Sequence, residues 1–111
     1  MSSTNGLGGE EKFTHYNASK AGVVLLSKTM AVELGRYAVR VNSVCPGSIR
    51  TNIIPGTDPS TMEAYARDKV PLGRRGLASE VAAAYAFLAS DEASFVTGCE
   101  LVVDGGQLAV M

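Results

Sequence analysis

A phenol and an ammonium stand four residues apart in Tyr16-Asn17-Ala18-Ser19-Lys20. Residues at i and i+4 share a helix face, so Tyr16 and Lys20 project into the same space. A free phenol ionises near pH ~10 and is a poor proton donor or acceptor at neutrality. A neighbouring cation favours the phenolate, and a tyrosine tuned in this way becomes a usable general acid/base. Taken alone, the pair also reads as a buried aromatic beside a solvated helix lysine. The residues that accompany it decide between the two.

Ser3 lies thirteen positions before Tyr16. Downstream, Asn42-x-Val44-x-Pro46-Gly47 closes an apolar, β-branched run and leads into Ser48-Ile49-Arg50-Thr51. Near the end comes Val103-Asp104-Gly105-Gly106. In this order and spacing the set resembles the short-chain dehydrogenase/reductase family, from Ser2 to about Gln107.

The resemblance implies hydride transfer between a nicotinamide ring and a carbonyl or alcohol carbon. NAD or NADP would be the cofactor, and a small ketone or secondary alcohol the substrate. The cofactor would carry the redox step while the protein supplies orientation and proton transfer. Tyr16 would be the general acid/base, and Ser3 would hydrogen-bond the reacting oxygen. Lys20 would assist Tyr16 and hold the nicotinamide ribose, so Tyr16 and Lys20 both touch the cofactor. Pro46 and Gly47 would let the backbone approach the nicotinamide, because glycine has no Cβ. Ile49 and Thr51 match positions that contact the carboxamide; Thr51 also reads as an ordinary loop hydroxyl. Met62 and Tyr65 are candidate substrate lining within a substrate loop, residues 48–70, of which 52–70 would form a mobile lid.

Positioning these groups requires particular elements. Val23, Leu26, Met30 and Leu34 recur at steps of three and four and predict a helix over 16–35. A second apolar stripe, Ala21, Val24 and Ala31, predicts burial on two sides. In the resembled family this helix often packs on its copy in a second subunit, which implies a homo-oligomer, a dimer or tetramer. Gly35 is the expected C-terminal cap. Residues 39–45 read as a strand covered on both faces, stopped by Pro46-Gly47. A short helix is expected over 60–69, a turn at 71–76, a helix over 78–90 and a last strand over 100–103. Ala78 stands where the family commonly has proline in the first helical turn.

Strand, helix, strand in this order predicts a parallel crossover. Ligands of such sheets bind beyond the carboxyl ends of the strands, where Ser3, Pro46, Gly47 and Gly105 would all lie. The expected fold class is α/β, the C-terminal part of a Rossmann-like doubly wound parallel sheet. Its N-terminal strands and the glycine-rich phosphate turn are missing from these residues. Gly6-Leu7-Gly8-Gly9 does not replace that turn, since no complete strand precedes it. The residue that would choose between NAD and NADP is missing too.

Bulk properties exclude several other classes. The 111 residues amount to one small domain, and 46% hydrophobic content can bury a core. A formal net charge of −1 gives no basic patch for nucleic acid or an anionic membrane. No apolar run reaches the ~18 residues of a membrane span. The start of the chain does not read as a signal peptide. Cys45 and Cys99 make neither a disulfide framework nor a zinc site, so no metal and a reducing, cytoplasmic setting are expected. Asn42 reads as structural, Cys45 as a small buried thiol and His15 as incidental. Two alternatives stay open: a non-catalytic remnant that associates through helix 16–35, and a sugar-nucleotide epimerase or dehydratase, which also uses Tyr-x-x-x-Lys. The Val-Asp-Gly-Gly ending argues against the latter.

Overall fold

The computed structural model describes residues 1–110. Helix α1, Thr14–Leu34, is its longest element and starts two residues ahead of Tyr16. Gly35 is the C-cap of α1, as expected, with its N–H on the Ala31 carbonyl, but it keeps a helical φ of −55° rather than the left-handed conformation. The chain tightens instead into a 3-10 turn at Gly35–Tyr37, a common way to satisfy the last carbonyls of a helix. The reversal falls on Ala38, at φ 59°, whose N–H closes on the Gly35 carbonyl at 2.9 Å.

Strand β1, Ser43–Pro46, begins later than the expected position 39. Residues 41 and 42 are held by hydrogen bonds to the segment 96–99, side chains included, rather than by a ladder. The Gly98 N–H donates to the Val41 carbonyl at 2.7 Å, and the Val41 N–H to Thr97 Oγ1 at 3.1 Å. The Asn42 amide donates to the Val96 carbonyl at 2.9 Å and accepts from the Cys99 N–H at 3.1 Å. Asn42 is therefore a staple between two segments of chain.

β1 pairs in parallel with β2, Glu100–Val103, with Ser43 opposite Glu100 and Pro46 opposite Val103. The Ser43 and Gly47 N–H groups face the β2 side and donate to the Cys99 and Val103 carbonyls, at 2.9 and 3.0 Å. Backbone groups alternate along a strand, so Val44 faces the other edge. There its carbonyl accepts the Ser2 N–H at 2.9 Å, which lays residue 2 beside β1. Ser43, Val44 and Cys45 are all buried. Consecutive residues point to opposite faces, so both faces of β1 are covered. Val44 packs with Val81 and Leu88, flanked by Ile49, Leu101 and Val103.

Two helices fill the crossover: α2, Pro59–Lys69, and α3, Ala78–Ala89. Asp58 caps α2 by accepting the Ser60 N–H, and Pro59 sits in its first turn, where a missing N–H is harmless. α3 starts at Ala78 without a proline. Glu80 supplies the start signal instead, accepting the Leu77 N–H at 2.8 Å and pairing with Arg74 at 2.7 Å. These donors, the Arg74 guanidinium first, hold the Glu80 carboxyl down at about 2. After β2, Asp104 accepts the Gly106 and Leu108 N–H groups, both at 2.8 Å. The turn it stabilises needs positive φ at Gly105 (64°) and Gly106 (91°), which glycine adopts without strain. Among the described residues no helix is long and apolar enough to cross a membrane.

Candidate active site

The first turns of α1 place Tyr16 and Lys20 side by side. Lys20 Nζ lies 5.4 Å from the centroid of the Tyr16 ring, within cation–π range. Phe13 meets the same ring edge-on, with centroids 6.1 Å apart and planes at 69°. The hydrogen bond from Nζ to the Met1 carbonyl is long, at 3.5 Å.

Ser3 caps the 3-10 turn Thr4–Gly6. The Asn5 N–H donates to Ser3 Oγ, and the Ser3 hydroxyl donates to Asn5 Oδ1, both at 3.2 Å. Asn5 Nδ2 donates in turn to Glu10 Oε2 at 2.7 Å and to Asn17 Oδ1 at 2.9 Å. Asn5 thus ties Ser3 to α1, next to Tyr16. Ser2 reinforces the junction by donating to the Lys20 carbonyl at 2.8 Å. A Cβ on Gly6 would fall 2.6 Å from Ser2 Oγ and 2.7 Å from that carbonyl, so only glycine permits this approach.

Ser3, Tyr16 and Lys20 border one cavity of about 480 Å³. Pro46, Gly47, Ile49 and Thr51 border it too, at the carboxyl end of β1. Met62 reaches it from α2, and Ile53 and Ile54 add apolar wall. Tyr65 does not border it. α2 turns that side chain toward a separate cavity of about 220 Å³, where its hydroxyl accepts from Gln107 Nε2 at 3.1 Å. Burial there pushes the Tyr65 phenol up. The crowding at Gly47 comes from behind: a Cβ would fall 2.7 Å from Asp104 Cβ and 2.9 Å from Gln107 Oε1. Cys45 is wholly buried, and that burial pushes its thiol up, away from the reactive thiolate.

Asn5, Ile53, Ile54 and Arg75 escape the motif-based reading. Nothing in their spacing marks them; the double arginine Arg74-Arg75 is the sole visible cue. The assembled site brings a phenol, a hydroxyl and an ammonium together at one largely apolar cavity, a setting suited to proton transfer on a small molecule.

A family model described as enoyl-(acyl carrier protein) reductase matches residues 1–107. The chain belongs to the short-chain dehydrogenase/reductase family. Among relatives of this oxidoreductase family, the meso-2,3-butanediol dehydrogenase of Serratia marcescens is 44% identical over 107 residues, which are 96% of this chain and 42% of that protein. The 3-oxoacyl-(acyl-carrier-protein) reductase of Thermotoga maritima is 46% identical over 108 residues, covering 96% and 43% respectively. The solved structure of a 4-hydroxyisoleucine dehydrogenase complexed with NADH superimposes with a TM-score of 0.93 at 34% identity, covering 99% of this chain and 46% of that one. The chain therefore spans less than half the length of these short-chain dehydrogenase/reductase relatives. Its helices and parallel strands form part of their Rossmann fold.

Proposed function

We propose that this chain carries the proton-transfer centre of an NAD(P)-dependent oxidoreductase that interconverts a ketone and a secondary alcohol. The convergence of Ser3, Tyr16 and Lys20 on one cavity supports the reading. Carbonyl reduction places negative charge on oxygen. Tyr16 donates a proton to that oxygen, and removes one from the alcohol in the reverse direction. Ser3 hydrogen-bonds the same oxygen and stabilises its charge. To do so it turns its O–H away from Asn5 Oδ1, the acceptor it holds here. Lys20 holds the ribose hydroxyls, and Met62 forms part of the substrate wall.

A nicotinamide dinucleotide, when bound, supplies or takes up the hydride. The residues present fit its nicotinamide end, since Pro46, Gly47, Ile49 and Thr51 border the cavity that holds Tyr16 and Lys20. Its adenosine end finds no glycine-rich turn between a strand and a helix among the described residues; Gly8 and Gly9 follow a 3-10 turn. α1 also leaves Leu25 (67%) and Val32 (83%) exposed, which supports homo-oligomerisation through this helix.

Tyr16→Phe tests the assignment in the catalytically competent enzyme that contains this chain. Turnover is expected to fall by roughly 10²–10⁴-fold while NADH still binds. Near-normal turnover would remove Tyr16 from the acid/base role. The exposed face of α1 also favours a second reading, a segment that associates without catalysing. Absence of any NADH or NADPH binding in a folded oligomer would select it.

A further inference from the structure

Arg74 and Arg75 are neighbours in opposite surroundings. Arg74 is exposed and closes a two-point pair with Glu80, at 2.9 and 2.7 Å. Arg75 is half-buried and borders the Ser3–Tyr16–Lys20 cavity. It also borders the adjoining cavity of about 830 Å³ formed with residues 50–57. Its Nη2 donates to the Ile49 carbonyl, which pins the guanidinium beneath the segment that carries Thr51. Nε is shielded and has no acceptor among the described residues.

Among the described residues no carboxylate compensates this charge. Among the described residues the ion pairs join Lys28 to Glu100, Arg50 to Glu63, Lys69 to Asp68 and Arg74 to Glu80. A half-buried cation with an unmatched donor costs stability. Its neighbours Arg50 and Arg74 both meet carboxylates, whereas Arg75 meets a cavity. The planar guanidinium fork matches the oxygens of phosphate and carboxylate groups.

We propose that Arg75 holds an anionic oxygen group, a phosphate or a carboxylate, of the ligand that fills this cavity. The proposal rests on the reading of the cavity as a dinucleotide and substrate site. The anion has two sources, the cofactor diphosphate and a carboxylate on the substrate.

Arg75→Gln and Arg75→Lys separate them in the catalytically competent enzyme. NADH affinity reads the first source, by titration calorimetry. The ratio of kcat/KM for a hydroxy acid to that for its methyl ester reads the second. If the diphosphate is held, Arg75→Gln weakens NADH binding roughly ten-fold or more and affects acid and ester alike. If a substrate carboxylate is held, KM for the acid rises by a similar factor while the ester and NADH are unaffected. Arg75→Lys keeps the charge and recovers part of either loss. A folded Arg75→Gln variant with unchanged NADH affinity and an unchanged acid-to-ester ratio overturns the proposal.

A second measurement is independent of turnover. Inorganic pyrophosphate and succinate are titrated against the folded, catalytically competent enzyme that contains this chain while the arginine Nε–H resonances are followed by NMR. The Arg75 resonance is expected to shift with at least one anion, and the response to vanish in Arg75→Gln. A silent Arg75 with both probes overturns the proposal. An Arg75-dependent response in an enzyme that shows no hydride transfer keeps the anion site and removes the Tyr16 reading.

Discussion

Lys20 holds its ammonium 5.4 Å from the centre of the Tyr16 ring, and both side chains border the same cavity. Among the described residues the ammonium has one hydrogen bond, a long one of 3.5 Å to the Met1 carbonyl. It is therefore placed to take up ligand oxygens with little loss of existing contacts. Hydrogen bonds to a charged group contribute about 1.5–3 kcal/mol, or roughly ten- to a hundred-fold in affinity. Lys20→Met, which keeps the side-chain length and removes the charge, is expected to weaken NADH binding by that factor. Nicotinamide fluorescence titration measures it, and unchanged affinity would contradict a ribose-holding role.

Gly47 illustrates a constraint of a different kind. An added Cβ would sit 2.7 Å from Asp104 Cβ and 3.0 Å from Asp104 Cα, and the latter is backbone that cannot swing aside. Overpacking of this sort costs about 1–3 kcal/mol. Gly47→Ala is expected to lower the thermal midpoint, followed by circular dichroism. Gly22→Ala is the control, since a Cβ there meets nothing within 4 Å on helix α1. It should stabilise by about 0.5–1 kcal/mol through helix propensity. Equal effects at the two sites would refute the steric account.

The contrast between these residues shows what a sequence displays. Tyr16 and Lys20 were legible because their proximity is local, set by the helical repeat alone. Asp104-Gly105-Gly106 was legible because its turn needs two positive φ angles and a carboxylate to hold them. Strand β2 has the bounds its sequence suggests for a similar reason, since it runs between a turn and that motif. Tyr65 was not legible: it lies three residues from Met62, and the docking of α2 alone decides which of the two reaches the cavity. The late start of β1 was hidden for a like reason, since Asn42 diverts its amide to Val96 and Cys99, more than fifty residues away. Gly35 caps α1 as its position suggests, whereas the reversal at Ala38 is hidden, because it depends on an intervening 3-10 turn. Arg75 sits in a turn with no periodicity to point it anywhere.

The Arg74–Glu80 pair gives the chain a defined acid response. The Arg74 guanidinium, then the Leu77 N–H, lowers the Glu80 carboxyl from 4.5 to about 2. A depressed carboxylate contributes stability above its unfolded value, and that contribution is lost as pH falls through the folded value. The stability gap between the parent and Glu80→Gln is therefore expected to be full above pH 4.5 and to close toward pH 2. Thermal melts across that window measure it. A gap that stays constant on acidification would mean that Glu80 acts through shape rather than charge.

Arg50 and Glu63 form the other two-point pair, at 2.9 and 3.2 Å, and it joins the segment after β1 to α2. Its side chains are 53% and 29% exposed. Solvated pairs of this kind couple by only about 0.2–1 kcal/mol and weaken with salt. The pair is therefore too weak to hold the fold, yet strong enough to bias where α2 rests. Met62, beside Glu63, carries that position into the cavity wall. Alanine variants at both positions, alone and together, should give a stability coupling below ~1 kcal/mol that shrinks as salt is raised. In the competent enzyme each single variant should raise substrate KM while NADH affinity holds. A large, salt-insensitive coupling with unchanged KM would assign the pair to the fold and not to the position of α2.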